Sequence, residues 1–497
     1  MGAGPVAKAA VSSTPGWGLA PACAERTQGL VVSPFAHLQA AEALFLQFAS
    51  GVGGAWLAAL RGQIPVTDAT GQSDPSAAIA FTWTGLKAMG LDIDALASFS
   101  DPFKQGMQQK DRRRRLSDDG AAAIAGVPLW GGAEPDAEGA PPTTVHAVLL
   151  LYARDVDALD VQCSKAETAL AAYRVTIARR VRLSLRLDDQ GVAREHFGFA
   201  DGISQPAPFG PQIRLSNGAP ATKDPWHGVA VGDILLGYLD AHGELAPGPL
   251  APAPSGPSGP LPRANAPEGY VDLGFNGSYL VIRELRQDVA RFWASMDAAA
   301  SAVNDAAVGA DDIAAKVIGR TKDGVPLAAA TPSLPLAGQP ANAFGYFQAD
   351  PHGFFCPLGS HIRRANPRDG LAPDDAGAPG LLKFSNNHRI LRRGRKFGPD
   401  IADPRIDDGA QRGLLFMCLN TDIERQFEFV QQNWLLNQTF ATLLDETDPL
   451  LGPEGPFTLP AQPLRRRAQV ETFVRFAGGE YFFLPSLPAL DYLQGLG

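Results

Sequence analysis

Apolar residues in this chain come in short runs whose spacing alternates along the sequence. Leu30, Val31 and Val32 predict a strand after Gly29, and Leu38, Ala41, Phe45 and Phe48 then fall at the spacing of a helix face. The apolar run from Thr143 to Tyr152 predicts a buried strand, followed by a helical stretch through Leu159. The same order returns later. Ser278 to Ile282 predicts a strand, and Leu285, Val289, Phe292 and Met296 mark a helix face. Gly413 to Leu419 predicts a strand, and Asp422 to Leu436, with Phe427 and Trp434, a helix. Each half therefore reads strand–helix, a long interval, then strand–helix. That pattern suits a β-α-β-β-α-β unit used twice. The expected class is α+β, with two ferredoxin-like domains in one chain, each an antiparallel sheet with helices packed on it.

Breaks in the pattern suggest boundaries. Residues 1–26 are small and Gly/Ala/Pro-rich and are expected to form a flexible N-terminal arm. Residues 27–242 form the first domain. Residues 243–268, which include APGPLAPAPSGPSGPLPRANAPEG, are too rich in Pro, Gly and Ser for a helix or a central strand and read as a linker loop. Residues 269–497 form the second domain. Residues 99–142 and 308–345 show little period, and intervals that long usually carry function or wrap over a neighbour.

Composition narrows the class. Of 497 residues, 45% are hydrophobic and 19% charged, enough for a sizeable core, and 53 Gly with 42 Pro point to long loops. The net charge of −9 argues against nucleic acid as the main partner. The short basic runs Arg112–Arg115 and Arg465–Arg467 read as solvated loops or interface charges. Cys23, Cys163, Cys356 and Cys418 are few and scattered, with no C-x-x-C, which fits a reducing compartment. No apolar run is long enough to span a membrane, and no leader is read in the first thirty residues, so a cytoplasmic location is expected. A homo-oligomer is compatible with the sequence.

P-loop, dinucleotide-binding, H-E-x-x-H and G-x-S-x-G signatures are absent. Three segments carry chemistry instead. In His196-Phe197-Gly198-Phe199-Ala200-Asp201-Gly202, an acid sits between glycines in an aromatic setting. Glycines let backbone approach a flat ligand, and a desolvated Asp there suits proton transfer. Alone, the segment reads equally as an Asp–Gly turn. In Gly359-Ser360-His361-Ile362-Arg363-Arg364, a histidine precedes a cationic run. Neutral imidazole is a good ligand for haem iron and arginines suit its propionates, but a lone histidine with solvated arginines fits the spacing as well. In His388-Arg389-Ile390-Leu391-Arg392-Arg393, a guanidinium after an apolar pair could turn inward and stabilise developing charge, or simply belong to a basic loop.

Together, and in this order, the three segments resemble the dye-decolorizing peroxidase family. Gly198-Phe199-Ala200-Asp201-Gly202 matches its G-x-x-D-G motif, and the likeness extends through Ile79–Lys87, Pro102–Met107, Gly277–Val281 and Phe416–Phe427, covering most of residues 29–485. The resemblance implies a haem peroxidase with one haem b per chain, held mainly by the C-terminal domain. It would reduce hydrogen peroxide through an oxoferryl intermediate and oxidise dyes or phenolic donors by one-electron steps. It makes His361 the iron ligand, Asp201 the proton carrier and Arg392 the distal arginine, with Arg393 the competing position across a long insert. Arg364 is a propionate candidate. Asp422 occupies the place of the acid that hydrogen-bonds the proximal imidazole. Trp293, Trp434 and Tyr346 are candidates to relay electrons from bulky donors. A haem-handling protein, either a carrier or an enzyme that removes iron from haem, is the alternative on the same fold.

Overall fold

The computed structural model describes residues 16–71, 73–118, 129–133, 141–189, 191–254, 261–330, 342–460 and 465–497. The chain is mixed α and β. Eight strands organise it: β1 (Ala40–Gln47), β2 (Ser76–Phe81), β3 (Ala147–Ala153), β4 (Thr176–Ser184), β5 (Ser278–Gln287), β6 (Arg395–Phe397), β7 (Gly413–Asn420) and β8 (Val474–Leu484). The first four lie in the order β4-β1-β3-β2 and the second four in the order β8-β5-β7-β6, antiparallel throughout. In each quartet the fourth strand neighbours the first, and the third separates the first from the second. Helix α1 (Ala55–Gln63) follows β1, α2 (Val156–Ala171) follows β3 and α3 (Val289–Val303) follows β5.

The quartets join edge to edge into a ring. One seam pairs Lys396 with Ser184 and Phe397 with Leu183, and the other pairs only Phe81 with Phe483. Closure removes the free edges that an open sheet would expose. Ala41, Ala43 and Phe45 of β1 join Val148, Leu150, Leu280, Ile282, Met417 and Phe482 in one buried cluster. Leu44 and Leu46, on the other face, join Ile79, Leu149, Leu151 and the helix residues Trp56, Leu57, Leu159 and Leu170 in a second.

This double burial explains the main correction. Residues 40–47 are a strand, not the helix that Leu38, Ala41, Phe45 and Phe48 suggested. A strand covered on both faces loses the polar alternation that would mark it, and helical spacing then arises by chance. Because Leu44 is fully buried, Leu44→Ala should cost roughly 2–5 kcal/mol, read as a lower denaturation midpoint. Wild-type stability in this variant would contradict the packing described.

Other elements also differ. Gly29–Val31 is a single 3₁₀ turn rather than a strand, because the carbonyls of Leu30 and Val31 accept from Arg393 instead of a neighbouring strand. Leu285 belongs to β5, and α3 starts only where the Asp288 carboxylate accepts from Arg291 N. The helix expected from Asp422 is present as two π-helical turns, Glu424–Glu428 and Val430–Leu435. Residues 99–142 and 308–345 contain helices at Asp101–Gln105, Lys110–Arg115 and α4 (Ala310–Ile318). Arg112 is buried against Glu428 rather than solvated.

Of the expected arm, residues 1–15 lie outside the described residues. Trp17–Leu19 pairs with Ile213–Leu215, and Cys23 and Ala24 are buried, so this part is packed and not free. Within the expected linker, Leu250–Pro252 pairs with Tyr270–Asp272, and residues 255–260 lie outside the description. Among the described residues, no helix is long and apolar enough to cross a membrane.

Candidate functional site

His361 opens helix α5 (His361–Ala365), and the Ser360 hydroxyl donates to Lys316 O at the end of α4, fixing that turn against the second unit. The imidazole Nδ1 lies 2.9 Å from Asp448 Oδ2. Asp448 is fully buried, and its Oδ1 accepts from the amides of Leu450 and Leu451 at 3.0 and 2.9 Å. Burial opposes the Asp448 charge, but His361, the Leu451 N–H and Arg364 outweigh it and hold the carboxyl below its ordinary value. With Nδ1 committed to Asp448, Nε2 is the nitrogen left for the cavity that His361 lines.

Asp422 does not fill this role. Its carboxylate accepts from the Arg425 amide at 2.9 Å and pairs with the Arg425 guanidinium, capping the turn after β7. Arg364 is not available to a ligand either. It is fully buried, and its guanidinium donates to the carbonyls of Trp434, Asn437 and Glu446. That spends its charge on holding the loop that delivers Asp448.

Asp201 follows a tight loop in which Gly198 and Gly202 take left-handed φ values of 97° and 75°. Glu195 shapes this loop from within. Its carboxylate accepts from Phe197 N at 2.8 Å, Phe199 N at 2.9 Å and Gln287 Nε2 at 2.8 Å. Part of Glu195's surface is accessible, but Glu195 lines the cavity. Enclosure therefore dominates: burial, helped by the nearby Asp201 charge, lifts the carboxyl to about 7 against those three donors. The desolvated acid of this loop is thus Glu195. The Asp201 side chain keeps 37% of its exposure.

Arg392 Nη1 stands 3.4 Å from Asp201 Oδ1, and Arg392 Nη2 donates to Ser204 O at 3.2 Å. Gln205 clamps the Arg392 backbone from both sides, Oε1 accepting from its amide and Nε2 donating to its carbonyl. Arg393 points away from the cavity to its two carbonyls in the Gly29–Val31 turn.

His196 ties the same loop to β6, its Nε2 lying 2.8 Å from Phe397 O. Burial pushes this imidazole down to about 4, against the pull of that carbonyl. The folded state therefore binds the proton less readily than the unfolded chain. The stability this gives is complete above about pH 6.5 and is lost as pH falls toward 4, to roughly 3 kcal/mol at most. The melting temperature should fall through that window and fall less in His196→Gln. Superimposable profiles would count against a neutral buried His196.

Asp201, His361 and Arg392 line one cavity of about 570 Å³, within the range of small-molecule and cofactor pockets. Ile203, Ile390, Phe427, Val430 and Leu435 give it apolar walls. Arg389 also lines it, buried, with His227 Nδ1 at 3.3 Å and Ser204 Oγ at 3.4 Å as the only hydrogen-bond partners of its guanidinium among the described residues. Burial and the neighbouring Arg368 and Arg392 depress its pKa to about 9. A buried cation without a carboxylate partner calls for an anion.

Of the residues expected from the sequence, Asp201, His361 and Arg392 come together at one cavity, whereas Asp448, Glu195 and Arg389 are not anticipated there. Glu195 directly precedes the aromatic–glycine segment, a signal that could have been used. Asp448 lies 87 positions beyond His361 in a loop with no period.

No family model matches the chain. The dye-decolorizing peroxidase msp1 of Mycetinis scorodonius is 30% identical over 441 residues, 83% of this chain and 75% of the relative. Among solved structures, a DyP-type peroxidase of Anabaena sp. superposes with a TM-score of 0.69 at 25% identity, covering 95% of this chain and 94% of that one. A dye-decolorizing peroxidase in complex with 2,6-dimethoxyphenol gives 0.69 at 26% identity, with 95% and 99% coverage.

Proposed function

The chain belongs to the dye-decolorizing peroxidase family and is a haem-dependent peroxidase acting on dyes and phenolic donors, and from that premise we propose that the cavity lined by His361, Asp201 and Arg392 is its haem site. Hydrogen peroxide is the oxidant. The observation that carries the assignment is the His361–Asp448 pair. An imidazole whose Nδ1–H is held by a buried carboxylate keeps its orientation and gains basicity at Nε2, which would suit it to hold haem iron. The unpaired buried Arg389 fits a haem propionate, in place of Arg364. No cysteine lines the cavity, which supports non-covalent haem b, and its one imidazole anchored by a buried carboxylate supports one haem in it.

The bound haem iron supplies the reduction of peroxide and the stepwise withdrawal of electrons from donors. Asp201 takes a proton from one peroxide oxygen and returns it to the other as that oxygen leaves. Arg392 holds the negative charge that develops on the departing oxygen, and its contacts to Ser204 and Gln205 keep it in place before the reaction begins. Of the three relay candidates, Trp293 lies between Lys322 at 4.2 Å and Arg405 at 5.3 Å, charges that oppose removal of an electron from its ring. Tyr346 lies under Arg363, and burial pushes its phenol pKa well up, which disfavours loss of its proton on oxidation. Trp434 packs edge-on to His388 and Phe429 with no such cation over its ring among the described residues and is the better suited of the three.

We read each quartet as a ferredoxin-like unit, supported by its strand order and by the helices after β1, β3 and β5. The second unit carries the haem, supported by its contribution of His361, Asp448, Arg389 and Arg392. Four free, buried cysteines support a cytoplasmic location. The iron-removal reading has no support among the relatives.

Haem titration followed at the Soret band should saturate at one equivalent per chain. Asp448→Asn should weaken haem or peroxide reactivity about 10- to 100-fold. Unchanged affinity and reactivity would remove Asp448 from the site.

A further inference from the structure

A second cavity, of about 900 Å³, lies beside the haem-sized one. The helix Ala378–Asn387 lines it through Pro379, Leu382, Lys383 and Asn386, and the next residue, His388, lines the first cavity. Phe209, Leu239 and Leu382 give it apolar walls, and Leu239 is 58% exposed although it is a large hydrophobe.

Its polar groups are unevenly satisfied. Lys223 and Lys383 line it without a carboxylate partner among the described residues, and Lys223 Nζ sits 5.6 Å from the Phe209 ring centroid. The one acid in the lining, Asp240, is already paired with Arg425 at 3.0 Å and accepts the amides of His242 and Glu244. The Tyr238 hydroxyl is spent on Asn276. By contrast, Asn386 Oδ1 and Gln212 Oε1 are buried without a hydrogen-bond partner among the described residues, and Asn386 is only 5% exposed. Buried acceptors left open cost free energy unless a donor reaches them.

We infer that this cavity binds a hydroxylated aromatic anion, such as a hydroxybenzoate or a hydroxyarenesulfonate. The apolar walls take the ring, Lys223 and Lys383 take the anionic group, and the ring hydroxyl donates to Asn386 Oδ1 or Gln212 Oε1. Binding stands on these groups alone. That the bound anion serves as an electron donor rests on the peroxidase reading.

Calorimetric titration of the haem-loaded enzyme tests it with 4-hydroxybenzoate, 4-hydroxybenzenesulfonate, benzoate, 4-hydroxybenzyl alcohol and inorganic phosphate. Both hydroxylated anions should bind without moving the Soret band, and at least tenfold more tightly than benzoate or the neutral alcohol. The double substitution Lys223→Ala, Lys383→Ala should weaken them at least tenfold while peroxide consumption with 2,6-dimethoxyphenol persists. Asn386→Leu, or Gln212→Leu should that variant fail to fold, should narrow the gap between 4-hydroxybenzoate and benzoate. Wild-type affinity in the lysine variant, equal binding of benzoate, or preference for phosphate would overturn the inference. Absent peroxide turnover with this binding pattern intact would overturn the peroxidase roles and leave the site standing.

Discussion

Replacing His361 by alanine should leave a folded protein that no longer retains haem. The reason is local. His361 is the imidazole of this cavity whose second nitrogen is anchored by a buried carboxylate, and Asp448 cannot itself replace a neutral nitrogen donor. The expected loss in haem affinity exceeds about 100-fold, because changing the supporting acid alone costs 10- to 100-fold. The measurement is the Soret band after stoichiometric haem addition and desalting, with circular dichroism to show that the fold persists. Added imidazole should restore part of the band. A normal Soret band in His361→Ala, without imidazole, would mean that another residue ligates the iron.

The second large effect concerns Asp201 and Arg392. Asp201→Asn removes the group proposed to carry the proton, and its reaction with peroxide should slow by about 10²- to 10⁴-fold in stopped-flow mixing. Arg392→Leu removes the proposed charge stabilisation and should slow the same step by about 10²- to 10³-fold. The double variant should fall short of the product of the two effects, because Arg392 also lies 3.4 Å from Asp201 and helps set its position. Haem content should be unchanged in both single variants. Full peroxide reactivity in both would refute the roles. A carboxylate carrier also predicts an acidic optimum for dye oxidation, opposed at the acid end by the buried His196, so the usable window closes from below through loss of stability. An optimum above about pH 8 would argue against Asp201.

The sequence announces strands best where they follow its own spacing. β5, β7 and α2 appear close to where the pattern places them, whereas β1 reads as a helix because neither of its faces meets water. The site follows the same rule. Asp201, His361 and Arg392 stand in compact segments that are ambiguous one by one and are picked out by their joint resemblance to the family's motifs. Arginines within one run look alike in sequence, yet Arg364 and Arg393 are consumed by backbone carbonyls while Arg389 and Arg392 face the cavity. Which of them is spent depends on carbonyls contributed by segments far away in the chain. The proximal acid is hidden for the same reason: Asp448 arrives on a loop shaped by Arg364, and Asp422, though nearer in pattern, caps a turn.

The ring of strands is closed at one side by a single residue pair, Phe81 with Phe483, and at the other by two. Asp201 reaches the cavity after the first quartet has ended, while His361 and Arg392 come with the second. A porphyrin in the proposed site would be gripped from both contributions and would act as a rivet across these narrow joins. Its binding energy adds to the cohesion between the halves as RT ln(1 + [L]/Kd), so the empty protein should breathe along the joins and the loaded one should melt as a single body.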